Sequence, residues 1–211
     1  MNSLRQPPAA LWKRASVTLS STRISRSLTT RRTVRSRLCR NTATGAKRTC
    51  RRGLDMAGFE YRQAAEIRDA LGRHGVRYLF IGKSGAILLG FPDTTQDADL
   101  FVDKSPDNGR ALAAALTELG FDLTGEQRKD LERGKDFVQL KNGPFDVDII
   151  FAPDGIERFA DAWKRHVEID SFPVCDIDDI IASKEAANRV RDRESLPRLR
   201  AFREWLKSNR P

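Results

Sequence analysis

Cysteine is scarce in this 211-residue chain. The three that occur, Cys39, Cys50 and Cys175, form neither a disulfide framework nor a zinc-ligand spacing, which suits a reducing compartment. The two histidines, His74 and His166, share no ligand spacing either and read as surface residues. No run of about 18 apolar residues occurs, so no membrane-spanning helix is expected, and there is no secretory hydrophobic region. A cytoplasmic protein with no membrane partner is the resulting expectation. No internal repeat is visible. Acidic residues are missing altogether from residues 1–54, which hold 14 of the 38 Lys and Arg and none of the 29 Asp and Glu. Residues 55–211 therefore carry 24 basic against 29 acidic side chains, a formal −5, although the whole chain is +9. The basic character belongs to the N-terminal quarter and says nothing of the remainder's surface.

That quarter, residues 1–55, is rich in Arg, Ser and Thr, with scattered apolar residues and no sustained period. It cannot bury enough apolar surface to fold alone, and a disordered basic leader is predicted. Three readings stay open. It resembles an organellar transit peptide; it is a basic nucleic-acid-binding tail; or translation starts at Met56, the second of only two methionines, close to where regular patterning begins. The folded domain is assigned to residues 56–211.

From Phe59 the pattern becomes regular. Ala64, Ala65, Ile67, Ala70 and Leu71 give a helix period over Tyr61–Arg73, ended by His74-Gly75. Val76–Ile81 reads as a strand, Gly85–Leu89 as a short helix closed by Gly90, and Asp97–Val102 as a second strand. Ser105-Pro106-Asp107 opens a helix through Leu119, stopped by Gly120. The charged stretch Glu126–Asp136 suggests an exposed loop or ribbon end. Phe137–Leu140 and Phe145–Phe151 form a hairpin around Asn142-Gly143. A helix over Ile156–Trp163, short strands at Val167–Ile169 and Phe172–Cys175, and helices at Asp178–Asn188 and Leu196–Lys207 complete the chain. Mixed strands and helices of this order argue for an α/β or α+β domain, with a mixed sheet flanked by helices and a short C-terminal helical extension.

Gly82-Lys83-Ser84 invites a phosphate-loop reading, but the wrapping glycine such a loop needs five positions earlier is Arg77, inside the strand. What remains is a strand turning into a helix start, whose free N–H groups and the Ser84 hydroxyl offer a phosphate site. The bland alternative is a strand-to-helix corner that needs glycine for close packing. Asp97 and Asp99, spaced i, i+2 on a strand, point to one face. Asp148 lies inside the apolar run Phe145–Phe151, with Asp146 on its face. An acid in a buried-strand pattern rarely serves stability. Two such strands side by side would bring Asp97, Asp99 and Asp148 together on a divalent cation, most simply Mg²⁺. Taken alone, Lys184 and Arg189 read as a solvated helix face.

These residues resemble the nucleotidyltransferase superfamily, whose palm is shared with DNA polymerase β. The family's strand, h-G-[G/S] turn, D-h-[D/E]-h and later Asp correspond to Ile81-Gly82-Lys83, Asp97-Ala98-Asp99-Leu100 and Val147-Asp148-Ile149. The likeness is nearest to small bacterial nucleotidyltransferase-like proteins of toxin–antitoxin and abortive-infection systems, which typically read G-G-x-A-x-x-L-H-G-x-P-R-x-T-x-D-x-D. Gly82, Gly90, Pro92, Thr95, Asp97 and Asp99 match that pattern in one ungapped register. The run Ser183-Lys184-Glu185-Ala186-Ala187-Asn188-Arg189-Val190-Arg191-Asp192 resembles the family's S-K-x-A-x-x-R-P-K-D segment. Lys83, Leu89 and Val190 depart from it, replacing a small residue, a His and a Pro.

The resemblance implies a Mg²⁺-dependent transfer of a nucleoside monophosphate from an NTP to an acceptor hydroxyl on RNA, protein or a small molecule. It implies that Asp97, Asp99 and Asp148 bind metal and carry catalysis, that Gly82, Lys83, Ser84 and Lys184 bind the nucleotide, and that Asp192 orients a basic residue. Lys83 either adds positive charge for phosphate or fills its space. The alternative is a non-catalytic or weakly catalytic interaction protein of the same fold, antitoxin-like, with a toxin or antitoxin partner.

Removal of residues 1–55 is expected to leave the rest folded. A chain beginning at Met56 should be soluble and melt in one cooperative transition, whereas insolubility or a broad melt would place the leader inside the fold.

Overall fold

The computed structural model describes residues 59–209. The leader, its boundary at residue 55, Cys39 and Cys50 lie outside the described residues. In chain order the described elements are α1 (Tyr61–Arg73), β1 (Tyr78–Phe80), α2 (Gly82–Leu88), β2 (Asp97–Val102), α3 (Pro106–Glu118), α4 (Gly125–Arg133), β3 (Phe137–Leu140), β4 (Asp146–Ile150), α5 (Phe159–Arg165), β5 (Val167–Ile169), β6 (Phe172–Val174), α6 (Ile177–Ala187) and α7 (Val190–Asn209). The fold is α/β, as the sequence pattern predicts. One mixed sheet runs in the order β3-β4-β2-β1-β6-β5. Its outer pairs β3/β4 and β5/β6 and the central β1/β2 are antiparallel, whereas β2/β4 and β1/β6 are parallel.

Residue type sets the layering. All three residues of β1 are buried, as a strand covered on both faces requires. Ala98 and Leu100 of β2 and Val147 and Ile149 of β4 have no exposure at all, while Asp97, Asp99, Asp146 and Asp148 alternate with them on the other face. Phe101 continues that second face inward and meets Phe159 of α5 edge-on at 5.1 Å. Helices α1, α3 and α4 pack in one group and α2, α6 and α7 in another. Gly85 lets α2 lie on β1: a Cβ there would sit 2.9 Å from the Phe80 carbonyl oxygen.

The charged stretch expected as a loop over Glu126–Asp136 is instead largely the helix α4. Thr124 and Gln127 form a reciprocal capping box at its start, and Gly134 ends it in the left-handed region at φ 67°. The apolar period is missing because the helix docks through little more than Leu131, which is fully buried. Its one buried acid, Asp130, is paired with Arg133 and Lys135. Three further boundaries move. Helix α2 begins at Gly82 rather than Gly85, and α5 starts and ends later than Ile156–Trp163. Helix α7 begins at Val190, with Pro197 inside it instead of opening it. Cys175 is buried and unpaired, and no helix among the described residues is long and apolar enough to cross a membrane.

Thr124→Ala is expected to destabilise the domain by about 1 kcal/mol through loss of the cap. A chemical-denaturation midpoint that does not move would mean that α4 contributes nothing to cooperative stability.

Candidate functional site

Parallel pairing of β2 with β4 aligns Asp97 with Asp146 and Asp99 with Asp148. One oxygen each of Asp97, Asp99 and Asp148 then lies within 4.8 Å of the others. Each carboxylate is separately held. Thr95 Oγ1 donates to Asp97 Oδ1 at 2.5 Å. Gln139 Nε2 donates to Asp148 Oδ1 at 3.0 Å, from the residue directly across the β3/β4 ladder.

Asp99 sits beneath the start of α2. Its Oδ2 accepts the backbone N–H groups of Lys83 at 3.1 Å and Ser84 at 3.3 Å. Ser84, fully buried, accepts the Asp99 N–H at 2.9 Å and donates to the Ile81 carbonyl at 3.2 Å. The cap position Ile81 has no side chain able to satisfy the first N–H groups, so Asp99 serves from the neighbouring strand. Gly82 is required twice over: its φ is +62°, and a Cβ there would lie 2.6 Å from Asp99 Oδ2. The N–H groups read from sequence as a phosphate cradle thus face a carboxylate in this structure.

Burial and like charge act on the cluster together. Burial first, then the Asp97 and Asp148 charges, push the Asp99 carboxyl up to about 7, against the Ser84 N–H bond and the Lys184 charge. Asp148 is also raised, by burial first, with the Gln139 hydrogen bond opposing. The donor set is all carboxylate oxygen, the choice of a hard divalent cation, and a cation there would offset the repulsion among the three acids. The residues present therefore fit Mg²⁺.

Lys184 of α6 pairs with Asp192 of α7 at 3.0 Å, both side chains largely buried. The second oxygen of Asp192 is buried without a hydrogen-bond partner. The positive charge of Lys184 also reaches Asp99, where it favours the ionised carboxylate. Arg189, by contrast, is exposed. Lys83 Nζ lies 3.9 Å from Asp93 Oδ1, and Arg198 of α7 binds Asp93 Oδ2 at 3.1 Å and the Pro92 carbonyl at 2.8 Å. The Thr94 N–H, more than either cation, holds the Asp93 carboxyl below its ordinary value.

Sequence reading missed Asp93, Arg198 and Gln139. The signal for Asp93 was present: the pattern quoted above has a small residue at position 83 and Arg at position 93, and this chain has Lys and Asp. The two departures are one feature, an ion pair. The hairpin read around Asn142-Gly143 would set Gln139 opposite Asp146; the observed register sets it opposite Asp148.

No family model matches the chain, and no curated protein matches it. Among solved structures, a candidate nucleotidyltransferase from Thermotoga maritima is similar at 18% identity, with 70% of this chain and 92% of that chain covered and a TM-score of 0.39. At that score the likeness transfers neither residues nor activity.

A raised folded-state value means that the folded chain binds the proton more tightly than the unfolded chain, where Asp ionises near 3.8. The stability this proton contributes is complete below the unfolded value and is lost as pH rises through about 7. The metal-free protein is therefore expected to melt at a lower temperature at about pH 8 than at about pH 5.5. Asp99→Asn, which keeps an oxygen for the Lys83 and Ser84 N–H groups, should flatten that dependence and be at least as stable at the higher pH. A variant profile parallel to wild type would remove Asp99 from this role.

Proposed function

We propose that the domain transfers a nucleoside monophosphate from an NTP to an acceptor hydroxyl in a Mg²⁺-dependent reaction, the chemistry of the nucleotidyltransferase superfamily that the sequence resembles. The observation that carries this reading is the convergence of Asp97, Asp99 and Asp148 from two adjacent strands to within 4.8 Å, beside the start of α2. Three acids gathered at the end of a buried sheet cost stability, through desolvation and repulsion, that a purely structural role does not require.

In this reading Asp97, Asp99 and Asp148 would hold the metal, and Mg²⁺ bound there supplies positive charge against the triphosphate. The acceptor oxygen forms a bond to the α-phosphorus, the bond from that phosphorus to the bridging oxygen breaks, and pyrophosphate leaves. Asp148, on the strand beside Asp97 and Asp99, would help hold the metal or take the hydroxyl proton. Lys184, fixed by Asp192, contributes positive charge toward the phosphates, and Lys83 does so from the start of α2. Most of the rate acceleration comes from positioning and charge neutralisation, as in phosphoryl transfer generally. The acceptor is a hydroxyl on RNA, protein or a small molecule.

A second reading, a non-catalytic interaction protein of the same fold with a toxin or antitoxin partner, is favoured by one feature. Lys83 stands where a small residue would leave room for phosphate, and it is tied to Asp93.

Asp97→Asn and Asp99→Asn are each expected to abolish Mg²⁺-dependent NTP binding, measured by titration calorimetry, without lowering the melting temperature of the metal-free protein. Lys83→Gly should weaken NTP binding by about 1–3 kcal/mol, the worth of a charge-assisted contact. Tighter binding in Lys83→Gly would show that the lysine fills the phosphate space and would favour the second reading. Transfer of label from α-labelled NTP onto total cellular RNA or protein by wild type, and not by Asp97→Asn, is the positive test of catalysis.

A further inference from the structure

One cavity has none of the three carboxylates in its lining. It is a groove of about 480 Å³ between the turn that follows α2 and the last part of α7, lined by Phe91, Pro92, Arg198, Phe202 and Trp205 among others. Its volume is in the range of small-ligand sites, whereas the cavity beside Tyr61 and Phe172, about 110 Å³, is not. On α7 the lining residues Arg198, Ala201, Phe202 and Trp205 recur at i, i+3, i+4 and i+7, one continuous helix face.

That face is aromatic. Phe202 is buried and packs edge-on against Phe91 at 5.4 Å. Trp205 stacks on Phe202 at 5.8 Å with only 14° between the planes, and it remains 56% exposed. The Arg198 guanidinium lies over the Phe91 ring, 5.1 Å from its centre. Aromatic faces beside a guanidinium are how proteins hold nucleobases by stacking, without reading their edges.

Ion pairs link the groove to Lys83 at the start of α2. Asp93 accepts Arg198 on one oxygen and faces Lys83 Nζ on the other, so a single carboxylate separates the groove wall from the side chain at the start of α2. Two cations share that one acid, which leaves the rim between groove and site positively charged and complementary to a phosphate chain. An occupant with a planar base and an anionic tail matches both ends. Resting on the reading of the previous section, we propose that this groove receives the base of the nucleoside triphosphate, stacked on Trp205, while the phosphates extend past Arg198 and Lys83 toward Asp97, Asp99 and Asp148.

The test uses the full chain and compares Mg-ATP with Mg-tripolyphosphate, which has the phosphates and no base. Trp205→Ala should weaken Mg-ATP binding about tenfold, the usual worth of one stacked base, and leave tripolyphosphate binding unchanged. Trp205→Phe, which keeps a ring, should retain most of the affinity, and melting curves confirm that both variants are folded. Equal ATP affinity in wild type and Trp205→Ala, with binding lost in Asp97→Asn, overturns the base site and leaves the proposed function standing. Equal loss of ATP and tripolyphosphate in Trp205→Ala overturns it too, because the effect would not involve the base. A wild-type dimer that Trp205→Ala dissociates, seen by sedimentation, identifies the groove as a contact between copies and overturns the proposal. Failure of wild type to bind either ligand overturns the proposed function and the base site together.

Discussion

The register of β2 against β4 is the constraint on which the site depends. In a parallel pair, residues that share a face stand side by side, and here Asp99 stands beside Asp148. A slip of one residue in either strand would turn that strand's two acids into the core and its aliphatic residues out. Ala98, Leu100, Val147 and Ile149, all fully buried, make that slip prohibitive. The apolar face thus holds in place a polar face that would not assemble by itself, since Asp97, Asp99 and Asp148 repel. Burial in that fixed register, with the neighbouring acids adding to it, raises the proton affinity of Asp99 and Asp148.

The second consequence falls on α2. A helix of seven residues has little stability of its own, and its first N–H groups need acceptors. Asp99 supplies one from the adjacent strand, and Gly82 makes the approach sterically open. The same oxygen therefore belongs to a helix cap and to an acidic cluster. These demands pull in opposite directions, because the cap favours ionised Asp99, while burial and the neighbouring acids favour the neutral form. Burial is the largest influence and decides the direction. Anything cationic that settled among the three carboxylates would favour the ionised form, and cap and cluster would then agree.

Much of this was legible in the sequence. The helix period of α1, the apolar run of β1, the Asn142-Gly143 hairpin and the i, i+2 spacing of Asp97 and Asp99 are local signals, and the elements follow them closely. The convergence of Asp148 on the other two was inferable because an acid in a buried run needs a reason to be there. The resemblance implied that Asp192 orients a basic residue; that this residue is Lys184 is visible only in the structure. Helix α4 was hidden because charged residues dominate its surface and only Leu131 anchors it, although the Thr124–Gln127 box and Gly134 mark both ends. The start of α7 was hidden by Pro197, which suits a first helical turn but here lies within the helix. The groove was not legible at all, since it joins residues 91 and 205 through tertiary packing alone.

Lys83 and Asp93 show why departures from a pattern are better read in pairs. A lysine where a small residue is usual looks like an obstruction when taken alone. With Asp93 opposite, the lysine has a partner directed along the α2–β2 turn, and that partner is held from the far side by Arg198. At 3.9 Å the Lys83 contact is the looser of the two on Asp93, and the lysine side chain is 40% exposed. A loose, partly exposed pair contributes little to stability, so its main effect is to set where the ammonium rests. A phosphate chain carrying several negative charges competes well with a single carboxylate for that ammonium. Arg198, bound to Asp93 and to the Pro92 carbonyl, would keep the acid in place while the lysine turned. The turn therefore couples α2, which caps onto the carboxylate cluster, to α7, which bears the aromatic groove, through side chains that are not all equally committed to one another.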